Sequence, residues 1–162
     1  PILRDAERQH GFLHRLDVPC SGLILAAKTF EAYYDLRVQL DTGQLARDYV
    51  VLCHGWPPPA LREIRARTAW RGELPTRSSA AAGRPSCTRL VVLAHLQRSG
   101  AALGLAAVRL GSGRRHQIRS HLAHVGLATA RDGKYSAAPT FRFDAGLCSQ
   151  HFLHRYRLSF RD

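Results

Sequence analysis

One carboxylate stands out in the stretch GFLHRLDVPCSGLILAAKT, residues 11 to 29. Asp17 lies between two apolar runs, directly after His14, Arg15 and Leu16. Folding alone would favour an apolar residue or a turn-forming asparagine there, because a carboxylate in apolar surroundings tends to protonate unless a cation lies beside it. Enzymes use carboxylates held in this way as nucleophiles or as bases. Asp17 is therefore the first candidate for a catalytic group.

A second candidate region is the predicted helix over residues 115 to 125, together with the turn before it. Ile118, Leu122 and Val125 recur at the spacing of one buried helical face, whereas Arg119 falls on a different face. The preceding GSGRR combines glycines with backbone N–H groups at a helix start, which is a natural anion site. Basic residues at helix starts are also common on solvated surfaces, so the turn alone does not decide between these interpretations.

Residue spacing argues against three other kinds of chemistry. His116 and His121 fall on opposite sides of the predicted helix, and the four cysteines lie far apart, so we expect neither a metal site nor a disulfide scaffold. A serine hydrolase would need a nucleophile elbow of the G-x-S-x-G kind, which the sequence lacks. HRLD differs from the H-R-D of a kinase loop by the insertion of Leu16, and no asparagine follows it.

Length and charge indicate one domain with a polyanionic partner. The 162 residues suffice for a single compact domain, 1–162. The 24 Lys and Arg against 12 acidic residues give a formal charge of +12, which favours a nucleic acid as partner, although a GC-rich genome would also raise the arginine content. No apolar run is long enough to span a bilayer, and no signal peptide opens the chain. We expect an intracellular monomer, cytoplasmic or organellar.

The first half of the chain predicts two strands around one helix. Residues 22–29 indicate a buried strand that ends at Thr29, a residue suited to cap the helix over 30–40. A further strand is expected over 48–55. Residues 57–86 have small and polar residues without a period, which predicts a variable surface loop or short hairpin.

The second half predicts a hairpin, a helix and a final strand. Two apolar segments, 87–96 and 102–110, are separated by the turn QRSGA, which indicates an antiparallel hairpin. The helix over 114–126 closes at Gly126, and 152–160 alternates as a strand does. Hairpin-linked strands with few helices favour an α+β fold over a doubly wound sheet.

Five blocks, taken in order, resemble the signature of the RluA-type RNA pseudouridine synthases. HRLDVPCSGLILAAKT is similar to H-R-L-D-x-x-T-S-G-L followed by an apolar strand and A-K-T. ARDYVVLCHG resembles the next block of that family, a basic residue, a spacer, tyrosine, an apolar strand and glycine. GSGRRHQIRSHLAHVG resembles T-G-R-T-H-Q-I-R-V-H-L-A-H-L-G, DGKY resembles D-x-x-Y, and LHRYRLSF resembles L-H-A-x-x-L-x-F. Together the blocks span residues 14 to 160.

The resemblance implies a reaction, a fold and three catalytic residues. The family isomerises uridine to pseudouridine in RNA without a cofactor, by breaking the N–C glycosidic bond and rejoining the base through carbon. The implied fold is a mixed, mostly antiparallel central sheet flanked by a few helices, with the active-site cleft across the sheet. The family's aspartate maps onto Asp17, which would attack C1′ or remove the C2′ proton. Its arginine maps onto Arg119, which would pair with Asp17 and keep it ionised, and its tyrosine maps onto Tyr49, which would stack on the uracil.

The resemblance also implies an RNA partner, either ribosomal or transfer RNA, and a target base that is flipped out of its helix. His14 or Arg15 would hold the emptied position or the backbone, and the residues before and at the start of the second helix would line the RNA groove or support its loop. The expected RNA-binding residues are His14, Arg15, Arg47, Arg114, Arg115, His116 and Gln117.

Four positions depart from the family pattern. Cys20 stands in place of threonine, Arg47 of lysine, Arg115 of threonine and Arg131 of glycine. The opening K-P-x-G strand of the family is absent, which predicts a catalytic domain truncated at its N-terminus. The departures leave open a second hypothesis, a catalytically silent RNA-binding or ribosome-assembly protein that retains the fold. Conversion of uridine distinguishes the two hypotheses, since both predict salt-sensitive RNA binding.

Overall fold

A computed structural model describes residues 1–72, 74–111 and 113–162. Its strands are β1 (Ser21–Gly22), β2 (Ala46–His54), β3 (Glu63–Ala69), β4 (Arg77–Ser79), β5 (Arg84–Arg98), β6 (Ala101–Leu110) and β7 (Leu153–Ser159). Its α-helices are α1 (Phe30–Asp41), α2 (Gln117–His124) and α3 (Ala138–Phe143), with short 3₁₀ turns at Ile2–Arg4, Gln9–Gly11 and Asp144–Gly146. None of these helices combines the length and the apolar character needed to cross a membrane.

The seven strands form one mixed sheet in the order β1-β7-β2-β6-β5-β3-β4. Only β1 and β7 pair in parallel; the other neighbours within the described residues are antiparallel. The predicted α+β class with a mostly antiparallel sheet is confirmed, as is the hairpin of β5 and β6, which turns at Ser99 and Gly100. Because β7 returns between β1 and β2, the end of the chain lies beside the segment that carries Asp17.

The main core lies between one face of the sheet and α2, which packs on β3, β4 and β5. Its buried apolar residues are Tyr49, Val51, Cys53, Ile64, Leu90, Ala106, Val108, Leu110, Ile118, Leu122, Leu127 and Leu153. Ile118 and Leu122 are buried as predicted, but Val125 is 40% exposed. Val125 follows the last residue of α2, so the helical face that the spacing extended to it has already ended.

The predicted buried strand over residues 22–29 is wrong. Only Ser21 and Gly22 pair with β7, and Leu23 and Ile24 are about half exposed. After the backbone N–H of Leu23 bonds to the Arg155 carbonyl, the chain leaves the sheet and Ala26 pairs with Phe12 instead. The cap at Thr29 is confirmed, because its hydroxyl accepts a hydrogen bond from the Ala32 N–H at 3.1 Å.

Residues 57–86, where the sequence predicts a loop or short hairpin, contain β3 and β4, which form a hairpin with each other. β3 also pairs with β5 over six residues and turns Ile64, Ala66 and Thr68 into the core. The two strands pack against α2, and the Ser78 hydroxyl bonds to the Ser120 hydroxyl at 3.0 Å. This segment therefore helps to hold the helix that carries Arg119.

Candidate active site

All ten residues singled out from the sequence line one cavity of about 670 Å³. The cavity lies where the segment around Asp17, the start of β2, the turn before α2 and β7 meet. The lining residues predicted from the sequence are His14, Arg15, Asp17, Arg47, Tyr49, Arg114, Arg115, His116, Gln117 and Arg119. Residues that are up to 105 positions apart in the chain, such as His14 and Arg119, thus share one surface.

Asp17 presents its carboxylate to this cavity with 19% of the side chain exposed. The main chain around it forms a tight turn, in which the N–H of Cys20 bonds to the Asp17 carbonyl at 2.8 Å. One carboxylate oxygen lies 3.6 Å from Nη1 of Arg119, and the other lies 3.9 Å from Nε2 of His116. The acid is therefore accompanied by one permanent cation and one titratable ring.

Arg119 has a closer partner than Asp17. Its Nε and Nη2 atoms each donate to Asp132 at 2.7 Å, and both side chains are fully buried. Burial alone would lower the pKa of Arg119, but the hydrogen bonds and charge of Asp132 raise it above the ordinary value. The expected pairing with Asp17 is thus a longer contact made by Nη1, which has no hydrogen bond among the described residues. Arg119 therefore contacts two carboxylates, those of Asp132 and Asp17.

Asp132 was not singled out from the sequence, although it opens the DGKY block. Besides Arg119, it accepts hydrogen bonds from the Thr129 hydroxyl and the Lys134 N–H, both at 3.0 Å. Its burial would raise the pKa of the carboxyl, but Arg119 lowers it below the usual range. The signal for Asp132 was present in that block, but nothing local indicated which cation it would meet.

Tyr49 and Arg155 form the second unexpected pair of the site. Tyr49 is 5% exposed, and its hydroxyl oxygen accepts hydrogen bonds from Nε and Nη2 of Arg155 at 2.9 and 2.6 Å. Nη1 of Arg155 donates to Nδ1 of His14 at 2.8 Å and to the Leu23 carbonyl at 3.1 Å. Arg155 stands where the L-H-A block of the family has alanine, and this departure from the family pattern could have marked it as a candidate site residue.

The side chains of Tyr49 and His14 are both neutral beside Arg155. Burial raises the pKa of Tyr49, an effect that the charge and hydrogen bonds of Arg155 oppose. Burial, together with the charges of Arg155 and Arg47, lowers the pKa of His14 to about 4. His14 is thus a neutral acceptor at neutral pH, which is the form that Arg155 requires.

His116 and Gln117 are buried where the turn enters α2. The Tyr135 hydroxyl donates to the Thr76 carbonyl at 3.0 Å, so Nδ1 of His116 is the donor in its 3.0 Å contact with the same hydroxyl. Neutral His116 therefore faces Asp17 with an Nε2 that carries no proton, and burial lowers its pKa. The amide nitrogen of Gln117 donates to the Cys87 carbonyl and the Thr88 hydroxyl, which makes it a support of the loop rather than an exposed contact.

The remaining predicted residues supply positive charge. Arg15, Arg114 and Arg115 are exposed at the cavity rim, whereas Arg47 is only 6% exposed. The Arg47 guanidinium lies against Gly113, where a β-carbon would collide with it. Trp70, which the sequence did not single out, joins the rim and stacks with Arg115. Across the described residues, no three His, Cys, Asp or Glu side chains are grouped as metal ligands.

Comparison with known proteins shows the family to which the chain belongs. A sequence profile described as RNA pseudouridylate synthase matches residues 2–124. The chain is 35% identical over 129 residues to ribosomal large subunit pseudouridine synthase D of Nitrosomonas europaea, covering 77% of this chain and 35% of that protein. It is 34% identical over 155 residues to an uncharacterized RNA pseudouridine synthase of Mycobacterium bovis, covering 95% of this chain and 48% of that protein. The chain belongs to the RNA pseudouridylate synthase family, of the RluA type that its motifs resemble.

Solved structures share the fold. Human RNA pseudouridylate synthase domain containing 1 superimposes with a TM-score of 0.78 at 22% identity, over 91% of this chain and 62% of that one. Human RNA pseudouridylate synthase domain containing 4 gives 0.71 at 18% identity, over 92% and 66%. The chain thus spans less than half of the two bacterial relatives above and about two thirds of the solved human chains.

Proposed function

We propose that this chain isomerises uridine to pseudouridine in RNA, with Asp17 as the catalytic carboxylate. The observation that carries the proposal is the position of Asp17, open to a basic cavity and 3.6 Å from a buried arginine. That arginine places a positive charge beside the carboxylate that would attack C1′ or remove the C2′ proton. Family membership supplies the reaction, and the cavity supplies a place for a nucleoside.

The carboxylate can act in either of two ways. In the first, Asp17 attacks C1′, the N1–C1′ bond breaks and its electron pair leaves with the uracil, as in a retaining glycosidase. In the second, Asp17 removes the C2′ proton and the same bond breaks by elimination. In both, the uracil turns and C5 bonds to C1′. In the first route this attack breaks the Asp17–C1′ ester bond and releases the carboxylate, and in the second Asp17 returns the proton to C2′. The C5 proton then leaves and N1 gains a proton. No cofactor takes part in this balance.

The neighbouring side chains fit defined roles in this reaction. The Tyr49 ring would stack on the flipped uracil, with its hydroxyl held in place by Arg155. Arg119 would contact the Asp17 carboxylate through Nη1 while Asp132 holds the rest of its guanidinium. Arg15, Arg47, Arg114 and Arg115 would contact the phosphates, and His14, His116 and Gln117 would shape the cavity.

Structured RNA is the proposed substrate, either ribosomal or transfer RNA. Several relatives are named as ribosomal large subunit pseudouridine synthases. Those names make ribosomal RNA the first substrate to test, with transfer RNA as the second. The surplus of arginines in the cavity is compatible with both, because phosphate contacts carry little sequence information.

The decisive experiment measures tritium release from RNA that carries [5-³H]uridine, with wild type and Asp17→Asn compared. Release is expected from the wild type and not from the variant. Asp41→Asn is the matched control, since Asp41 is the other acid that lines the cavity among the described residues, is paired with Arg37 and is largely exposed. No release from the wild type, with RNA binding intact, would instead favour the catalytically silent RNA-binding protein.

A further inference from the structure

We propose that Trp70 and Arg115 form a stacking platform at the cavity rim for an unpaired RNA base next to the target nucleotide. The proposal rests on the proposed function, because it names a subsite of the same cavity. Neither the catalytic carboxylate nor the tyrosine belongs to this subsite. The ligand that it would take is a nucleobase, recognised by its flat surface rather than by its edge.

The geometry of the two side chains defines the stacking platform. Trp70 directly follows β3, and the guanidinium carbon of Arg115 lies 4.3 Å from the centroid of its ring. Trp70 is 50% exposed, so a large part of the indole stays open to solvent beside the arginine. An exposed tryptophan fixed by a cation is a rigid surface, which loses little conformational freedom when a base stacks on it.

The stacking platform lies close to the catalytic carboxylate. Arg115 precedes His116, whose Nε2 atom is 3.9 Å from Asp17. Consecutive α-carbons are about 3.8 Å apart, so Arg115 is attached next to the residue that contacts the carboxylate. Trp70 and Asp17 line the same cavity. A subsite at the rim of the cavity that Asp17 lines suits a base adjacent to the target rather than the target itself.

Flipping creates the need for such a surface. When a nucleotide leaves its stack, its neighbours lose a stacking partner, and an aromatic side chain can replace that partner. The charge around the stacking platform is appropriate, because seven arginines and two aspartates line the cavity within the described part of the chain. We therefore expect the stacking platform to bind single-stranded or unpaired RNA, with the arginines holding its phosphates.

The second tryptophan provides a matched control. Trp56 is 54% exposed, as exposed as Trp70, but it does not line the cavity. Its indole N–H donates to the Leu96 carbonyl at 3.0 Å and its ring stacks on His95. A base that stacks at the cavity rim should therefore change the fluorescence of Trp70 and not that of Trp56.

The test uses fluorescence of two single-tryptophan proteins in the Asp17→Asn background, which is expected to bind RNA without converting it. Trp56→Phe leaves Trp70 as the reporter, and Trp70→Phe leaves Trp56. The probes are a short oligouridylate and an oligomer of equal length with abasic riboses, which keeps the phosphates and lacks the bases. We expect oligouridylate to quench Trp70 emission, with much less quenching by the abasic oligomer and none at Trp56.

Affinity gives an independent reading. Trp70→Leu is expected to weaken oligouridylate binding about 5- to 150-fold, which corresponds to the loss of one base–aromatic stack. Trp70→Phe should retain a large part of the affinity, and Trp56→Leu all of it. A urea titration of each variant confirms that it is folded.

Three results would overturn the stacking platform. Unchanged affinity in Trp70→Leu would do so, and so would equal quenching by the abasic oligomer, which would mean that only the phosphates are bound. Both leave the proposed function standing, since tritium release by the wild type tests it separately. Absence of oligouridylate binding to the folded Asp17→Asn protein would also refute the stacking platform, and would refute the proposed function only if tritium release were absent too.

Discussion

Arg119 bonds to both carboxylate oxygens of Asp132 at 2.7 Å and keeps its third nitrogen, Nη1, for Asp17 at 3.6 Å. The shorter contact fixes the plane of the guanidinium, because two parallel hydrogen bonds leave it no freedom to rotate. The longer contact therefore has a defined direction toward the cavity. Asp132 acts as the positioning residue for the cation that accompanies Asp17.

Asp132→Asn should destabilise the fold strongly. Removing one partner of a buried ion pair leaves the other charge uncompensated, which costs about 3–5 kcal/mol. Urea unfolding at neutral pH measures this loss in the free energy of unfolding. Because the pKa of Asp132 is lowered in the folded protein, its stabilisation is present above its unfolded pKa of about 4 and is lost as the pH falls below that value. The gap between wild type and variant should shrink accordingly.

The Asp48–Arg109 pair, which is also bidentate, tests whether burial sets the cost of losing the carboxylate. Asp48 accepts hydrogen bonds from Arg109 at 2.6 and 2.7 Å, but the arginine side chain is 52% exposed. Asp48→Asn should cost no more than about 1 kcal/mol, since water solvates the remaining cation. Equal losses in Asp132→Asn and Asp48→Asn would show that burial does not set the cost of breaking these pairs.

Arg155 and Tyr49 should behave as one unit. Arg155→Ala removes both hydrogen bonds to the Tyr49 hydroxyl, and Tyr49→Phe removes the acceptor, so each variant loses part of the same interaction. A double-mutant cycle in urea is expected to give a coupling energy of about 0.5–3 kcal/mol. In the tritium assay, Arg155→Ala should also lower kcat, because the tyrosine ring is no longer held.

Thr29→Ala is the reference for this cycle. It removes the N-cap of α1 and should cost about 1 kcal/mol. Thr29 shares no partner with Arg155 among the described residues, so its loss and that of Arg155 should add. Additive losses for Arg155→Ala and Tyr49→Phe as well would show that the two side chains are energetically independent.

The sequence predicted the elements better than the contacts between them. The spacing of Ile118 and Leu122 identified α2, and the turn between β5 and β6 identified their hairpin, because both signals are local. The pairing of Tyr49 with Arg155 follows from the register of β2 against β7, in which these residues are direct partners. Register between strands so distant in the chain depends on the assembled sheet, and no local pattern contains it.

The same reason accounts for the errors. The apolar run after Gly22 has the composition of a strand, yet only Ser21 and Gly22, just before it, pair with β7. Arg119 does contact Asp17 as expected, at 3.6 Å, but its shorter contacts are to Asp132, which the sequence analysis missed and which the bridge between Cys53 and Thr129 brings near. Composition indicates that a segment is able to pair, while the fold decides with which partner.

Acid should weaken the fold through His14. Its pKa is about 4 in the folded protein and about 6.5 in the unfolded chain. Between these values the unfolded state binds the extra proton, so the free energy of unfolding should fall as the pH decreases from about 6.5 to about 4. His14→Asn keeps an acceptor for Arg155 and should reduce this slope in urea titrations. Equal slopes in wild type and His14→Asn would contradict the assignment.

Salt should reveal which arginines touch phosphate. Arg114 is exposed at the cavity rim, and Arg142 is equally exposed on α3 but does not line the cavity. Arg114→Gln should weaken oligouridylate binding and lower the slope of log K against log salt by about 0.7, the value for one phosphate contact on a single strand. Arg142→Gln should change neither quantity, since no phosphate is expected to reach α3. Fluorescence anisotropy across a salt series measures both, and a slope in Arg114→Gln equal to that of the wild type would remove Arg114 from the RNA path.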